Sequence, residues 1–142
     1  MKNIASLFIL ILVIGTASCQ DSKDKKAPQS VVANFQAKYP GETDPDWHLD
    51  SNGLWEANFK INGERYRADF EPNGLWVETE NSIKKSELPE AIKLAIEKDY
   101  KDLKITEVER VQHYSKGWFY DVEFKQEGKK MDVEYREDGT SL

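Results

Sequence analysis

Two histidines, one cysteine and several rows of alternating charge are the reactive side chains of this 142-residue chain. His48 and His113 are the candidate acid–base or metal groups, each in an extended run, beside Trp47 and Tyr114 respectively. Neither has companions at ligand spacing, since no His-x-x-x-His and no Cys-x-x-Cys occurs. They read as surface imidazoles, with contact to a partner left open as a role. The carboxylates Asp69, Asp121, Glu123, Asp132 and Glu134 share the polar side of their runs, but Lys60, Arg65, Arg67, Lys125, Lys130 and Arg136 interleave with them. Opposite charges across neighbouring strands finish a solvated sheet without any substrate to explain them. The stretch 50–53, Asp-Ser-Asn-Gly, has the head of a calcium loop but not the glutamate that closes one, and no glycine loop suited to phosphate is present. The expectation is no catalytic residue, no metal and no cofactor.

The elements that carry these groups are short strands. Residues 52–80 hold three β-type runs separated by Asn62-Gly63 and Asn73-Gly74, and Asn-Gly between alternating runs is the strongest local hairpin signal. Trp55, Ala57, Phe59 and Ile61 fall on one side of their run, and Tyr66, Ala68 and Phe70 on one side of the next. One face of the resulting sheet is core and the other is wet. Much the same text returns near the end of the chain: displaced by 65 positions, Phe59 falls on Phe124, Gly63 on Gly128, Phe70 on Tyr135 and Gly74 on Gly139. Trp118, Tyr120, Val122 and Phe124 make the core side there, against Phe119, Asp121, Glu123 and Lys125.

A helix precedes each set. Residues 28–39 open on Pro28, carry Val32, Phe35 and Tyr39 on one face and stop at Pro40-Gly41; residues 88–100 repeat this with Pro89, Ile92, Ile96 and Tyr100. The helices are 61 apart and the meanders 65, so four residues are gained between them, in the strand and turn over 105–117. Two α-β-β-β units follow, 27–80 and 88–142, with their strands in one antiparallel sheet and both helices on a single face. The class is α+β.

Upstream, residues 1–19 combine Lys2, an apolar run from Ile4 to Ile14 and small residues ending in Cys19, the pattern of an export signal. Thr16-Ala17-Ser18-Cys19 resembles a bacterial lipobox, which implies lipidation at Cys19, with residues 20–26 as a flexible tether. The formal net charge is −6 and no dense basic stripe occurs, which disfavours nucleic acid and charge-driven adhesion to lipid. The membrane is then reached through the lipid alone.

The phrasing of residues 28–92, from Tyr39-Pro40-Gly41 through Asp46-Trp47, Asn62-Gly63, Asn73-Gly74 and residues 76–80 to Leu88-Pro89-Glu90-Ala91-Ile92, resembles the PepSY-like domains of bacterial envelope lipoproteins. Those domains are similar in fold to the β-lactamase inhibitor protein (BLIP-like). The resemblance covers 27–142. It implies no catalytic residues, and an association with peptidase inhibition or envelope regulation. The functional expectation is a periplasmic or cell-surface lipoprotein, with the outer membrane as its site, that binds an envelope protein or peptide. The other reading is a structural protein or small-ligand carrier with a pocket between helices and sheet. Partner-binding candidates are Arg65, Arg67 and Asp69 as one exposed row, Lys130, Asp132 and Glu134 as a second and more negative one, and Trp76. Trp76 lies between Leu75 and Val77, so its strand shows an apolar residue on each face: either a large side chain is exposed for an interface or it packs beneath the junction of the two units.

Overall fold

The computed structural model describes residues 26–142. The export signal over 1–19, Cys19 itself and the tether up to residue 25 lie outside the described residues. Helix α1 (Gln29–Lys38) is followed by β1 (Asp46–Leu49), β2 (Trp55–Ile61), β3 (Glu64–Phe70) and β4 (Trp76–Ser82). A 3-10 turn at Lys85–Glu87 leads into α2 (Glu90–Asp99), then β5 (Lys104–His113), β6 (Gly117–Gln126) and β7 (Lys129–Tyr135). The strands form one seven-stranded antiparallel sheet in chain order. This order needs only hairpins and one helical crossing, so every strand pairs with its sequence neighbour.

Helix α1 begins where Pro28 offers its carbonyl to the Val32 amide at 3.1 Å and ends where the Tyr39 amide donates to Phe35 at 2.8 Å, just before Pro40. It buries Val31 and Phe35; Val32, placed on the core face by sequence spacing, is only half-buried. Phe35 meets Phe59 edge-on at 5.1 Å and Trp47 at 5.4 Å, which joins α1 to β1 and β2 through aromatic contacts. The cluster closes with Trp55, Ala57, Ala68 and Phe70. A second cluster gathers Leu88, Ile92 and Ile96 over Val108, Val122, Phe124 and Tyr135.

Pairing register puts both helices on the same side: Ala68 stands opposite Thr79, Thr79 opposite Gln112, and Gln112 lies on the same side of β5 as Val108. The sheet is continuous while the apolar core divides in two. Between the clusters the helix side is polar, with Thr79 and Asn81 facing Gln112 and Arg110. Trp118 occupies the face its alternation predicts but stays 52% exposed, because neither helix reaches it and the Arg110 guanidinium, 4.3 Å from its ring, is the cover it has. The first strand after each helix differs in length, four residues in β1 and ten in β5, and four strands follow α1 where three follow α2, in place of the equal α-β-β-β units expected. After β7 the chain doubles back, with Ser141 bridging Tyr135 and the Leu142 amide donating to Glu134 at 3.0 Å.

Two glycines clamp the sheet to the helices. A Cβ on Gly74 would sit 2.7 Å from the Ser30 carbonyl oxygen, and one on Gly139 would sit 2.6 Å from that of Ala91. Gly139 and Gly128 have nearly equal positive φ, +84° and +83°, yet nothing lies within 4 Å of a Cβ on Gly128. Alanine at either position meets the same backbone penalty, so the difference between the two variants isolates the close approach. Gly139→Ala should destabilise the protein by about 1–3 kcal/mol more than Gly128→Ala in urea unfolding; equal midpoints would contradict the contact.

Candidate functional site

Among the described residues both α-helices lie on one side of the sheet, and the other side is the face that bears the charge. Its rows follow from the register. His48, Glu56, Asp69, Glu78 and His113 stand opposite one another from β1 to β5. The next row runs Asp46, Asn58, Arg67, Glu80, Val111, Phe119. A third includes Glu109, Asp121 and Glu134 on β5, β6 and β7. The histidines share a row but are four strand spacings apart, roughly 19 Å at about 4.8 Å per spacing, too far to act on one atom. Among the described residues no three His, Cys, Asp or Glu side chains come together as a metal site.

Several of these side chains are buried although no helix covers them. Asp69 is 8% exposed and Glu80 7%, and Val111 and Phe119 form an apolar pair beside them, with Lys116 Nζ 5.1 Å from the Phe119 ring centre. Phe119 therefore shares the charged face, as alternation requires, and is buried there rather than wet. Arg67 is half-buried, ion-paired with Glu80 and 3.8 Å from Glu56. Burial works against its charge, but Glu80 and Asp69 more than compensate and hold its pKa above that of an ordinary arginine.

The carboxylates outnumber their partners. Among the described residues Asp69 Oδ1 and Asp121 Oδ1 accept no hydrogen bond, and Glu80 Oε2 meets Arg67 as an ion pair without an aligned one. Burial pushes Asp69 up to about 7 against the pull of Arg67. Burial and the Glu80 charge push Glu109 up to about 8, and burial with Asp132 and Glu134 pushes Asp121 up to about 6. On the β7 side Lys130 holds Glu123 at 2.6 Å and Lys116 holds Glu134 at 2.6 Å.

The sequence-predicted binding residues divide as follows. Arg65, Arg67 and Asp69 do share this face on β3, and Lys130, Asp132 and Glu134 share it on β7, but β4, β5 and β6 separate the two rows. Arg67 and Asp69 are not free surface charges. Arg67→Glu would set a carboxylate against buried Glu80, so the expectation of a row of exposed charges is corrected: only Arg65 of the three is exposed. Trp76 faces the helix side, with Lys38 Nζ 3.6 Å from its ring centre and its Nε1 donating to Thr79 Oγ1 at 2.9 Å; Tyr39 meets the same hydroxyl. Leu75, not Trp76, is the exposed neighbour. Glu78, Glu80, Glu107 and Glu109 escaped the sequence reading; their signal is a glutamate at every second position of two runs that turn out to neighbour each other.

The family described as "Putative beta-lactamase-inhibitor-like, PepSY-like" matches residues 51–142. A protein of Bacteroides ovatus described as a DUF2874 family protein shares the fold at TM-score 0.73 and 23% identity, covering 83% of this chain and 86% of its own. A BLIP-like protein of Bacteroides fragilis does so at TM-score 0.70 and 22% identity, with coverage of 83% and 84%. A third, from Bacteroides eggerthii and described among "putative periplasmic proteins", matches at TM-score 0.72 and 23% identity, over 83% of this chain and 87% of that one. No curated protein matches significantly.

The raised carboxyls set a pH dependence. Asp69, Glu109 and Asp121 bind protons more tightly folded than unfolded, where such groups titrate near 4. Their folded forms thus hold more protons than the unfolded chain between about pH 4 and 8, and stability falls as pH rises through that window. Melting at pH 5.5 should exceed that at pH 8.5 by about 4 °C or more, and Glu109→Gln should flatten the slope. A melting temperature that climbs from pH 5.5 to 8.5 would reverse the sign and refute the assignment.

Proposed function

The chain belongs to the PepSY-like, beta-lactamase-inhibitor-like family, and on that footing we propose that it is a non-enzymatic binding module of the cell envelope that meets a protein or peptide with the open face of its sheet. The observation that carries this reading is a broad sheet covered by helices on one side, whose other side holds buried carboxylate oxygens, Asp69 Oδ1 and Asp121 Oδ1, that accept no hydrogen bond among the described residues. Groups of that kind persist when function, rather than folding, uses them. An inhibitory or regulatory action on an envelope enzyme fits the family description.

Export is supported by the signal-like residues 1–19 and by the periplasmic description of the Bacteroides eggerthii neighbour. No helix among the described residues is long and apolar enough to cross a membrane. Anchoring then rests on lipid at Cys19, with the outer membrane as the expected site. Cys19→Ala should move the protein from the membrane to the soluble fraction on cell fractionation, and retention of the variant at the membrane would overturn the anchor.

The alternative, a small-ligand carrier, has one feature in its favour: a polar cleft of about 320 Å³ on the helix side, between the two core clusters and lined by Tyr66, Asn81, Arg110 and Tyr120. Photo-crosslinking separates the readings. A crosslinker replacing Asp132, exposed on the open face, should trap a partner in the intact envelope, whereas one replacing Leu94, exposed on α2, should not. Adducts from position 94 alone would place the partner on the helix side and refute the open-face reading.

A further inference from the structure

The open face is not uniformly charged; it contains a well. Between β3 and β7 a cavity of about 180 Å³ is lined by one guanidinium, that of Arg67, and by the carboxylates of Glu80, Glu107, Glu109, Asp121, Glu123 and Asp132. Acid clusters on a solvated sheet are common. This one differs in its floor: Glu80 lines the well at 7% exposure with Arg67 as its ion-pair partner, and Asp121, which also lines it, has a buried Oδ1 that accepts no hydrogen bond. Asp69, next to Arg67 on the same face of β3, is also buried, and its Oδ1 accepts no hydrogen bond. An ionised carboxylate held out of water without donors is costly unless a cation completes it.

The chain shows how this face is completed where a cation is supplied. On the β2–β4 side the Arg67 guanidinium lies between Glu80 and Glu56. On the β5–β7 side Lys130 takes Glu123, while among the described residues Glu107, Glu109, Asp121 and Asp132 make no ion pair. Glu109 and Asp121 stand directly opposite each other, the spacing at which one planar, forked cation can donate to two carboxylates. The volume suits a guanidinium with part of its stem.

We propose that the well receives an arginine side chain of the partner, whose guanidinium bridges Glu109 and Asp121 and completes the set that Arg67 begins. This rests on the open-face reading above and deepens it by naming the chemistry of the contact. In the free protein Glu109 keeps its proton to higher pH than an ordinary carboxyl. Glu109, facing Arg67 from β3, Glu80 from β4, Asp121 and Glu123 from β6 and Asp132 from β7, is held up to about 8 by burial and Glu80. Entry of the guanidinium therefore releases protons. Glu107 on the same strand and Lys130 and Glu134 on β7 modulate this without reversing it, since Lys130 is engaged by Glu123 and Glu134 by Lys116.

The test is isothermal titration of the purified full chain with tetra-arginine at low salt and pH 7.5, against tetra-citrulline, which keeps the shape and loses the charge. Tetra-arginine should bind, tetra-citrulline should not, and the heat should change with buffer ionisation enthalpy as protons leave. Glu109→Gln with Asp121→Asn should weaken binding at least tenfold, although this variant should be no less stable than the parent. Glu97→Gln with Glu137→Gln removes at least as much charge at pH 7.5 from exposed positions outside the well and should change affinity less than twofold. Equal loss from both pairs, or none from the first, would mean attraction by net charge alone and would overturn the well; so would the absence of tetra-arginine binding. Either result beside a sustained crosslink from position 132 leaves the open face standing and removes only the arginine. A crosslink from position 94 alone removes the face itself.

Discussion

The ladder between β4 and β5 is the joint on which this molecule depends. Each half packs its own helix against its own strands, and the two apolar clusters do not merge. The pairing of Glu78 to Ser82 with His113 to Glu109 makes them one body. Small units of about sixty residues bury too little surface to be robust alone, so backbone pairing along this seam supplies cooperativity that the divided core does not. The seam also sets the charge pattern. Because the register sets Glu78 opposite His113 and Glu80 opposite Val111, the glutamates of β4 and those of β5 fall on the same face, where they crowd.

That crowding is relieved in three ways across one surface. Arg67 neutralises the β2–β4 portion from within the sheet, Lys116 and Lys130 cover the β7 margin, and in the middle burial and like charge shift Glu109 and Asp121 toward their neutral forms. The first is a buried pair, whose removal from one side leaves an uncompensated charge. The second consists of partly exposed pairs that contribute little to folding. The middle is the weakest, and a fold selected for stability alone would place amides there. The apolar pair Val111 and Phe119 lies beside it and lowers the local polarity that the carboxylates experience.

Much of the architecture is legible in the sequence because local signals agree with it. Asn-Gly turns, the two proline-started helices and the alternation of Trp55 to Ile61 each report short-range physics, and all point to a helix-backed antiparallel sheet. Burial on the second face is what alternation does not convey. Phe119 and Trp118 occupy the sides their parity assigns, yet the residue on the outer side is buried and the one on the inner side exposed, because helix coverage and neighbouring side chains, not parity, decide accessibility. The candidate site was half visible. Arg67, Asp69 and Asp132 were identifiable as face residues, but the well needs Glu80 and Glu109 beside them, and that proximity exists only once strands distant in the chain are set in register.

The doubling back after β7 has a consequence for how anything can attach. Ser141 and Leu142 hydrogen-bond to the outer edge of β7, so part of that edge already carries the groups an added strand would use. The opposite edge is β1, four residues long and entered through Pro45, which has no amide to donate. Neither border is a good template for β-augmentation, the mode in which a peptide extends a sheet by main-chain pairing. Recognition is thereby pushed away from backbone and onto side chains, where selectivity depends on which residues a partner presents rather than on its readiness to become a strand.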